Sequence, residues 1–199
     1  MSPKPHIKIA AVPNLRNDAG DVIACPGHYL AAYTRYDSDI INDIGSSTIA
    51  GKMSVDTTGK LWGNEFVISP NIGRLNVMAV SLYRAGSNTI NCYFSVKNST
   101  RDIKLYLCVS TDNGLTWAAA RQIISENAYD LFINGSIHSL NKVRIVIPVA
   151  SVPVYDPGVV FKDYCYYSDD KGITWTKSSE VITDTRPLGG VEPTVVQLS

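Results

Sequence analysis

The sequence predicts an all-β protein whose sheets are arranged as the blades of a β-propeller, and three observations favour this fold. A pattern of eight residues, Ser-x-Asp-x-Gly-x-Thr-Trp, occurs twice, and a damaged third copy precedes both. Runs rich in aromatic and β-branched residues lead into each copy, as is typical of strands. Proline and glycine fall mainly between these runs, where they indicate turns.

The copies of this pattern, called boxes here, recur at a nearly constant interval. Intact boxes occupy residues 110–117 and 168–175, so 58 residues separate Ser110 from Ser168. The damaged box begins at Ser54, 56 residues before Ser110, with one extra residue before its glycine and leucine in place of threonine. About four short strands fit each interval, which is typical of propeller blades. A β-sandwich also uses short strands, but it does not repeat one turn at a fixed period.

The residue types of the box predict a structural role. Its aspartate can accept hydrogen bonds from the backbone of the turn, and its glycine supplies a positive φ. Its tryptophan offers an apolar face for packing against a neighbouring repeat. A motif that occurs once per blade does not mark a single active site. The residues assigned this role are Asp56, Asp112, Gly114, Trp117, Asp170, Gly172 and Trp175.

Composition argues against several classes of protein. The 18 basic and 18 acidic residues cancel, so nothing in the net charge favours nucleic acid or an anionic membrane as a partner. No apolar run approaches the roughly 20 residues of a membrane-spanning helix, and the first residues do not resemble a signal peptide. This pattern favours the cytoplasm, although it leaves the localisation open. The four cysteines form no C-x-x-C pair and the three histidines are scattered, so no metal site is predicted.

The box is the Asp-box, or BNR repeat, and the chain resembles the sialidase (neuraminidase) family of six-bladed propellers. Residues 16–36, 76–83, 95–117 and 191–198 resemble segments of one branch of that family in the same order. The resemblance implies one partial propeller domain over residues 1–199. Its blades are expected at residues 10–66, 67–124 and 125–185, with the start of a further blade at 186–199. Six blades need about twice this length, so we expect an N-terminal fragment that is inactive alone.

The resemblance also implies a chemistry, the retaining cleavage of a terminal α-linked sialic acid without any cofactor. In the family, three arginines bind the sugar carboxylate, because the planar guanidinium meets a carboxylate through two parallel hydrogen bonds. An aspartate acts as general acid/base. A tyrosine paired with a glutamate is the nucleophile, an exception to the usual carboxylate pair. The implied partner is a sialylated or related glycan.

Two catalytic-site residues are carried over near the N-terminus. Arg16 matches the first arginine of the family's clamp, although the usual following Ile-Pro is absent. The alternative is a surface arginine beside Asp18. Asp43 is the expected acid/base. Asp37 and Asp39 lie in the same loop, and the alternatives are Asp39 as the acid/base or a loop whose acids are merely solvated.

Further residues are assigned with less direct matches. Glu192 matches the carboxylate that would activate the tyrosine, and the alternative is a glutamate at a strand edge. Arg35 and Asn76 are expected to bind substrate, although Arg35 could instead pair outward with an aspartate. In the third repeat the family branch has an Asp-Arg pair where this chain has Gly135 and Ser136, which implies altered affinity or loss of catalysis.

These departures leave two other functions open. The chain could belong to a non-catalytic carbohydrate-binding propeller, which the damaged first box and the Gly135–Ser136 substitution favour. It could also be an interaction module that forms a homo-oligomer through the open face of a partial propeller, because that face would otherwise leave apolar surface and strand edges uncovered.

Overall fold

The described part of the chain is all-β. A computed structural model describes residues 16–37, 42–126, 128–156, 158–184 and 189–198. These residues form fourteen strands, and no helix occurs among them. No helix long and apolar enough to cross a membrane is therefore found in these ranges. The strands are β1 (Asn17–Cys25), β2 (His28–Tyr36), β3 (Ser47–Met53), β4 (Phe66–Ser69), β5 (Asn76–Arg84), β6 (Ile90–Ser99), β7 (Asp102–Ser110), β8 (Arg121–Gln122), β9 (Tyr129–Leu131), β10 (His138–Leu140), β11 (Arg144–Val152), β12 (Lys162–Ser168), β13 (Thr176–Lys177) and β14 (Ile182–Thr183).

The strands form three successive groups, called the first, second and third blades. The first blade is a separate four-stranded antiparallel sheet in the order β1-β2-β3-β4. The second blade contains β5 to β8, and the third contains β9 to β14. A single parallel pairing, Ile103 with Tyr129, joins β7 to β9 and merges the last two blades into one hydrogen-bonded sheet.

The first strand of every blade is irregular near its middle. The register of β1 shifts between Asp18 and Asp21, and that of β5 shifts between Met78 and Ser81. In the third blade, β9 and β10 both pair with β11 and are separated by residues 132–137. Such irregularities redirect side chains and are common beside active sites. They bring three interrupted strands to the same region of the molecule, described below.

The blades pack face to face through two main cores. Alternation along β6 sends Cys92 and Phe94 toward the first blade and Tyr93 toward the third. Eight consecutive residues of β6 are buried for this reason. A strand buried on both faces has no polar side to present to water, which explains why the sequence here lacks a clean apolar–polar alternation.

The three boxes form tight turns with closely similar hydrogen bonds. In the second box, Asp112 accepts bonds from the Thr116 amide at 2.9 Å and the Thr116 hydroxyl at 2.5 Å. Asp170 accepts the equivalent bonds from Thr174 at 2.9 Å and 2.5 Å. In the damaged box, Asp56 accepts from Thr58 and from the amide of Lys60. The box glycines have φ values of 68°, 92° and 86° at Gly59, Gly114 and Gly172, a region that favours glycine.

Two box tryptophans pack between blades. Trp117 lies against the apolar cluster shared by the first and second blades. Trp175 lies against the cluster shared by the second and third blades, and its ring meets Tyr93 edge-on at 6.1 Å between centroids. The boxes therefore fix turns and also contribute to the packing of neighbouring blades.

We expect the two intact boxes to make stability depend on pH at the acid end. Hydrogen bonds from Thr116 and Ser110 lower the pKa of Asp112 to about 2, and those from Thr174 and Ser168 do the same for Asp170. An unfolded aspartate has a pKa of roughly 3.9. Because the folded pKa is depressed, this stabilisation is present above about pH 4 and is lost as the pH falls toward 2.

The double variant Asp112→Asn, Asp170→Asn should lose part of this acid dependence, measured as the urea midpoint between pH 2 and 6. Glu180→Gln, an exposed position outside the boxes, is the matched control and should keep it. An unchanged pH dependence in the double variant would contradict the assigned hydrogen bonds.

The last described residues follow the third blade. Gly189 forms an isolated parallel bridge with Phe161, and residues 190–198 form no strand. Because no further sheet lies beside them in the described part of the chain, their backbone groups have no strand partner there. At the first boundary, β4 pairs with β3, so the first sheet reaches Ser69.

Candidate active site

The interrupted first strands of the three blades surround a cavity of about 330 Å³. It contains Arg16, Asp43 and Glu192, three residues that the sequence analysis assigned to the site although they are far apart in the chain. Asp18 adds a further carboxylate, and the third blade supplies an apolar wall. The lining residues are Arg16, Asp18, Asp43, Met78, Ala79, Leu131, Phe132, Ile133, Asn134 and Glu192.

Arg16 is held by two carboxylates and an aromatic ring. Its Nε and Nη2 contact Asp18, and its Nη1 lies 2.9 Å from Asp43 Oδ1. Its Cζ lies 4.5 Å from the centre of the Tyr36 ring, a cation–π distance. Burial disfavours the charged form of Arg16, but the hydrogen bonds that it donates to Asp43 and Asp18 outweigh burial, so the pKa of Arg16 is raised.

Asp43 lies in the turn that connects β2 to β3. The Asn42 side chain accepts a hydrogen bond from the Ile44 amide at 3.2 Å, which fixes the turn locally. From the second blade, Asn76 Nδ2 donates to the Asp43 carbonyl at 2.8 Å. The Asp43 side chain remains 53% exposed, so its carboxyl group is accessible to a ligand in the cavity.

Asn76 acts on the backbone of Asp43 rather than on a ligand. It is fully buried and is not among the residues that line the cavity. Its Oδ1 is buried and has no hydrogen-bond partner among the described residues. The sequence analysis expected Asn76 to bind substrate, whereas its contacts are those of a residue that positions the loop.

A buried lysine lies behind the Asp43 loop. Lys97 pairs with Asn76 across β5 and β6, and its side chain is 5% exposed. Its Nζ lies 5.4 Å from the centre of the Tyr129 ring. Burial lowers the pKa of Lys97, and the negative charge of Asp43 opposes that shift. Burial, followed by the charges of Tyr155 and Asp43, raises the pKa of Tyr129 to about 12.

Glu192 reaches the same cavity from the segment after the third blade. Its backbone has φ of 61°, and Pro193 follows it. Residues other than glycine seldom adopt positive φ, and a following proline disfavours helical conformations further. Such backbone strain is concentrated at functional sites, which makes Glu192 a stronger candidate than its sequence alone suggests.

Arg35 does not line the cavity. It belongs to the opposite face of β2 from Tyr36, since successive residues of a strand point to opposite sides. Its guanidinium pairs with Asp37 at 2.9 Å and with Glu65, to which Tyr33 also donates. The outward ion pair, the alternative that the sequence left open, is therefore the observed arrangement. Of the other acids in that loop, Asp37 binds Arg35 and Thr48, and Asp39 lies outside the described residues.

Hydrogen bonds between blades join residues near those that line the cavity. Asp21 accepts a hydrogen bond from the Leu82 amide of β5 at 2.9 Å, and the Gly135 amide donates to Val80 at 3.2 Å. Asn134 Nδ2 donates to the carbonyl of Gly20 at 3.4 Å. Burial raises the pKa of Asp21, although the hydrogen bonds from the Leu82 and Val22 amides oppose the shift. Gly135 thus stands at a contact between blades.

Other parts of the described structure offer less for catalysis. A cavity of about 370 Å³ lies between Ser151, Tyr164 and Lys177, but its one carboxylate, Glu126, already pairs with Lys177 at 3.1 Å. Within the described ranges, no group of three or more His, Cys, Asp or Glu is placed to hold a metal ion.

Sequence reasoning did not assign roles to several residues of the site. Asp18 could have been recognised, because residues two apart on a strand share a face and Asp18 follows Arg16 by two. The role of Tyr36 depends on contacts within the first blade, whereas those of Lys97 and the wall at residues 131–134 depend on contacts between blades. A single sequence offers no local signal for either.

The solved structures that resemble this chain include several glycan-processing enzymes. A Trypanosoma rangeli sialidase in complex with 2,3-difluorosialic acid has a TM-score of 0.68 and 19% identity over 93% of this chain and 33% of its own. The Hadza microbial sialidase Hz136 has a TM-score of 0.69 and 16% identity, covering 85% of this chain and 39% of its own. The Fusarium graminearum α-L-arabinofuranosidase Arb93A has a TM-score of 0.62 and 17% identity, covering 86% and 52%.

These likenesses confirm the predicted fold class, a β-propeller of the sialidase type. The chain spans between a third and about half of the length of these three structures. No curated protein matches the chain significantly in sequence. The profile of the BNR repeat-like domain family matches residues 43–199, and the chain belongs to that family.

Proposed function

We propose that the cavity is part of the active site of a glycoside hydrolase that removes a terminal sugar from a glycan. The observation that carries this proposal is the convergence of Arg16, Asp43 and Glu192 on one cavity between blades. Two accessible carboxylates beside an arginine are the groups that glycoside hydrolysis requires for proton transfer and sugar binding. The similarity to sialidases and to an arabinofuranosidase supports the same class of reaction.

In this proposal Asp43 acts as general acid and then as general base. Protonated Asp43 donates its proton to the glycosidic oxygen as the bond to the sugar breaks, and the anion then accepts a proton from the attacking water. Asn76 fixes the backbone of Asp43, and the 53% exposure of the side chain lets it reach a bound sugar. Arg16 shares Asp43 Oδ1 with the hydroxyl of buried Tyr36, which restricts the position of the carboxylate.

Glu192 supplies the second carboxylate. In a sialidase-type reaction it would accept a proton from a tyrosine nucleophile. Tyr36 is a poor candidate for that nucleophile, because burial and then the charges of Asp18 and Asp43 raise its pKa. The non-catalytic alternative, in which the same cavity only binds a glycan, is favoured by Gly135 and Ser136, where the family branch has an Asp-Arg pair.

The test is hydrolysis by the complete protein of umbelliferyl glycosides of N-acetylneuraminic acid, arabinofuranose and galactose. We expect turnover of at least one glycoside, and the Glu192→Gln variant should lower its kcat by roughly 10²-fold or more, the usual size for a catalytic proton-transfer group. Glu180→Gln, an exposed glutamate outside the cavity, is the matched control. Binding of a glycoside without any turnover would favour the non-catalytic alternative and contradict hydrolysis.

A further inference from the structure

The cavity carries an excess of negative charge. Among the described residues, its lining contains three carboxylates, Asp18, Asp43 and Glu192, and one guanidinium, that of Arg16, which gives these four side chains a formal charge of −2 when all are ionised. The buried Lys97 behind Asp43 offsets part of this charge but does not line the cavity. A sugar with its own carboxylate would therefore enter a field of the same sign, which disfavours its binding.

Asp18 also occupies one edge of the Arg16 guanidinium, which an anionic ligand would need. Its Oδ2 contacts both Nε and Nη2 of Arg16, the edge of the guanidinium that could otherwise meet a ligand carboxylate. The remaining terminal nitrogen, Nη1, lies 2.9 Å from Asp43, and the ring of Tyr36 covers the guanidinium plane at 4.5 Å. An incoming carboxylate would have to displace Asp18 before it could pair with Arg16.

The rest of the lining suits an uncharged ligand. Met78, Ala79, Leu131, Phe132 and Ile133 form an apolar wall, and Asn134 adds a neutral side chain that can donate and accept hydrogen bonds. Apolar surface with a few polar groups is the usual lining of a site for a small neutral molecule.

Building on the proposed function, we propose that Asp18 determines specificity by closing Arg16 to acidic sugars, and that the cavity takes a terminal sugar without a carboxylate. In this arrangement Arg16 stays paired with Asp18 and holds Asp43 in place, and the Asn134 side chain binds hydroxyl groups of the sugar. The substrate class is an uncharged pentose or hexose glycoside.

The test measures the affinity of the full chain for methyl glycosides of arabinofuranose, galactose and N-acetylneuraminic acid by NMR titration. The wild-type protein should bind an uncharged glycoside more tightly than the sialoside. Asp18→Asn keeps the side-chain shape and removes one negative charge, and it should raise sialoside affinity about tenfold, an effect that weakens with added salt. Asp169→Asn, which removes an exposed partner of Arg144, is the matched control and should change neither affinity.

Preference of the wild-type protein for the sialoside, or an unchanged ratio of affinities in Asp18→Asn, would overturn the proposal. Acetate serves as a probe of Arg16 that does not depend on sugar binding. If no glycoside binds to either protein, the proposed function fails, whereas acetate binding to Asp18→Asn alone still supports the closure of Arg16 by Asp18. No gain in acetate binding overturns that closure. Thermal melting verifies folding, and Asp18→Ser provides a second variant.

Discussion

Replacing Asp43 with asparagine should lower kcat/KM of the complete protein by about 10²- to 10⁴-fold, the range expected for loss of a general acid/base. The loss should be greatest for alkyl glycosides, whose leaving group needs a proton, and smaller for umbelliferyl glycosides, whose leaving group is stable as an anion. Folding should be preserved, because Asn76 binds the backbone carbonyl of Asp43, which the substitution leaves in place.

Two neighbouring acids provide the controls for this experiment. Asp37 pairs with Arg35 and Thr48 and does not line the cavity, so Asp37→Asn should retain activity within about twofold, the scale of a surface ion pair. Asp39, the other acid that the sequence left open, is tested in the same way. Full loss of activity in Asp39→Asn together with an active Asp43→Asn would contradict the assignment of Asp43.

Replacing Asp130 with alanine should lower the free energy of unfolding by roughly 3–5 kcal/mol, because three hydroxyl groups lose a shared acceptor. Asp130 is 3% exposed. It accepts hydrogen bonds from Ser151 at 2.6 Å and from Tyr164 and Tyr166 at 3.0 Å each. Its removal leaves two buried tyrosine hydroxyl groups and the half-buried Ser151 hydroxyl without this acceptor, and each unsatisfied buried group costs about 1–3 kcal/mol.

Urea unfolding of the wild type and the variant measures this effect. The m-value, the slope of the unfolding free energy against urea, should be the same for both proteins, since an equal slope indicates that the same surface is exposed on unfolding. Asp169→Ala, at an exposed ion pair with Arg144, is the matched control and should change stability little. A loss below about 1 kcal/mol in Asp130→Ala would show that the hydroxyl groups find other acceptors. If the alanine variant is too unstable to purify, Asp130→Asn provides the milder substitution.

The repeat predicted the fold because each box fixes its own local turn. Ser110, Asp112 and Thr116 lie within seven consecutive residues, so their hydrogen bonds depend on near neighbours that the sequence displays directly. The family resemblance also implied the start of a further blade at residues 186–199, of which the structure describes 189–198. These residues form no strand in the described structure, because strand formation also needs a partner for the backbone.

The site was predictable only in part, because its contacts cross blades. Arg16 and Asp43 came from the family resemblance, and the structure brings them within 2.9 Å of each other. Arg35 and Asn76 matched the same pattern, but strand alternation and complete burial keep them out of the cavity. A resemblance identifies a position in the chain, whereas the direction of the side chain depends on register and on the neighbouring blade.

The contacts of the boxes with earlier strands bear on the order in which the chain can assemble during synthesis. Gly114 approaches Leu30 so closely that an added Cβ would lie 2.9 Å from its side chain, and Trp175 rests on Tyr93. Each of these two boxes thus packs against a strand that is synthesised before it. Because synthesis proceeds from the N-terminus, each packing surface is made before the box that packs against it. Neighbouring blades can therefore assemble in the order of the chain.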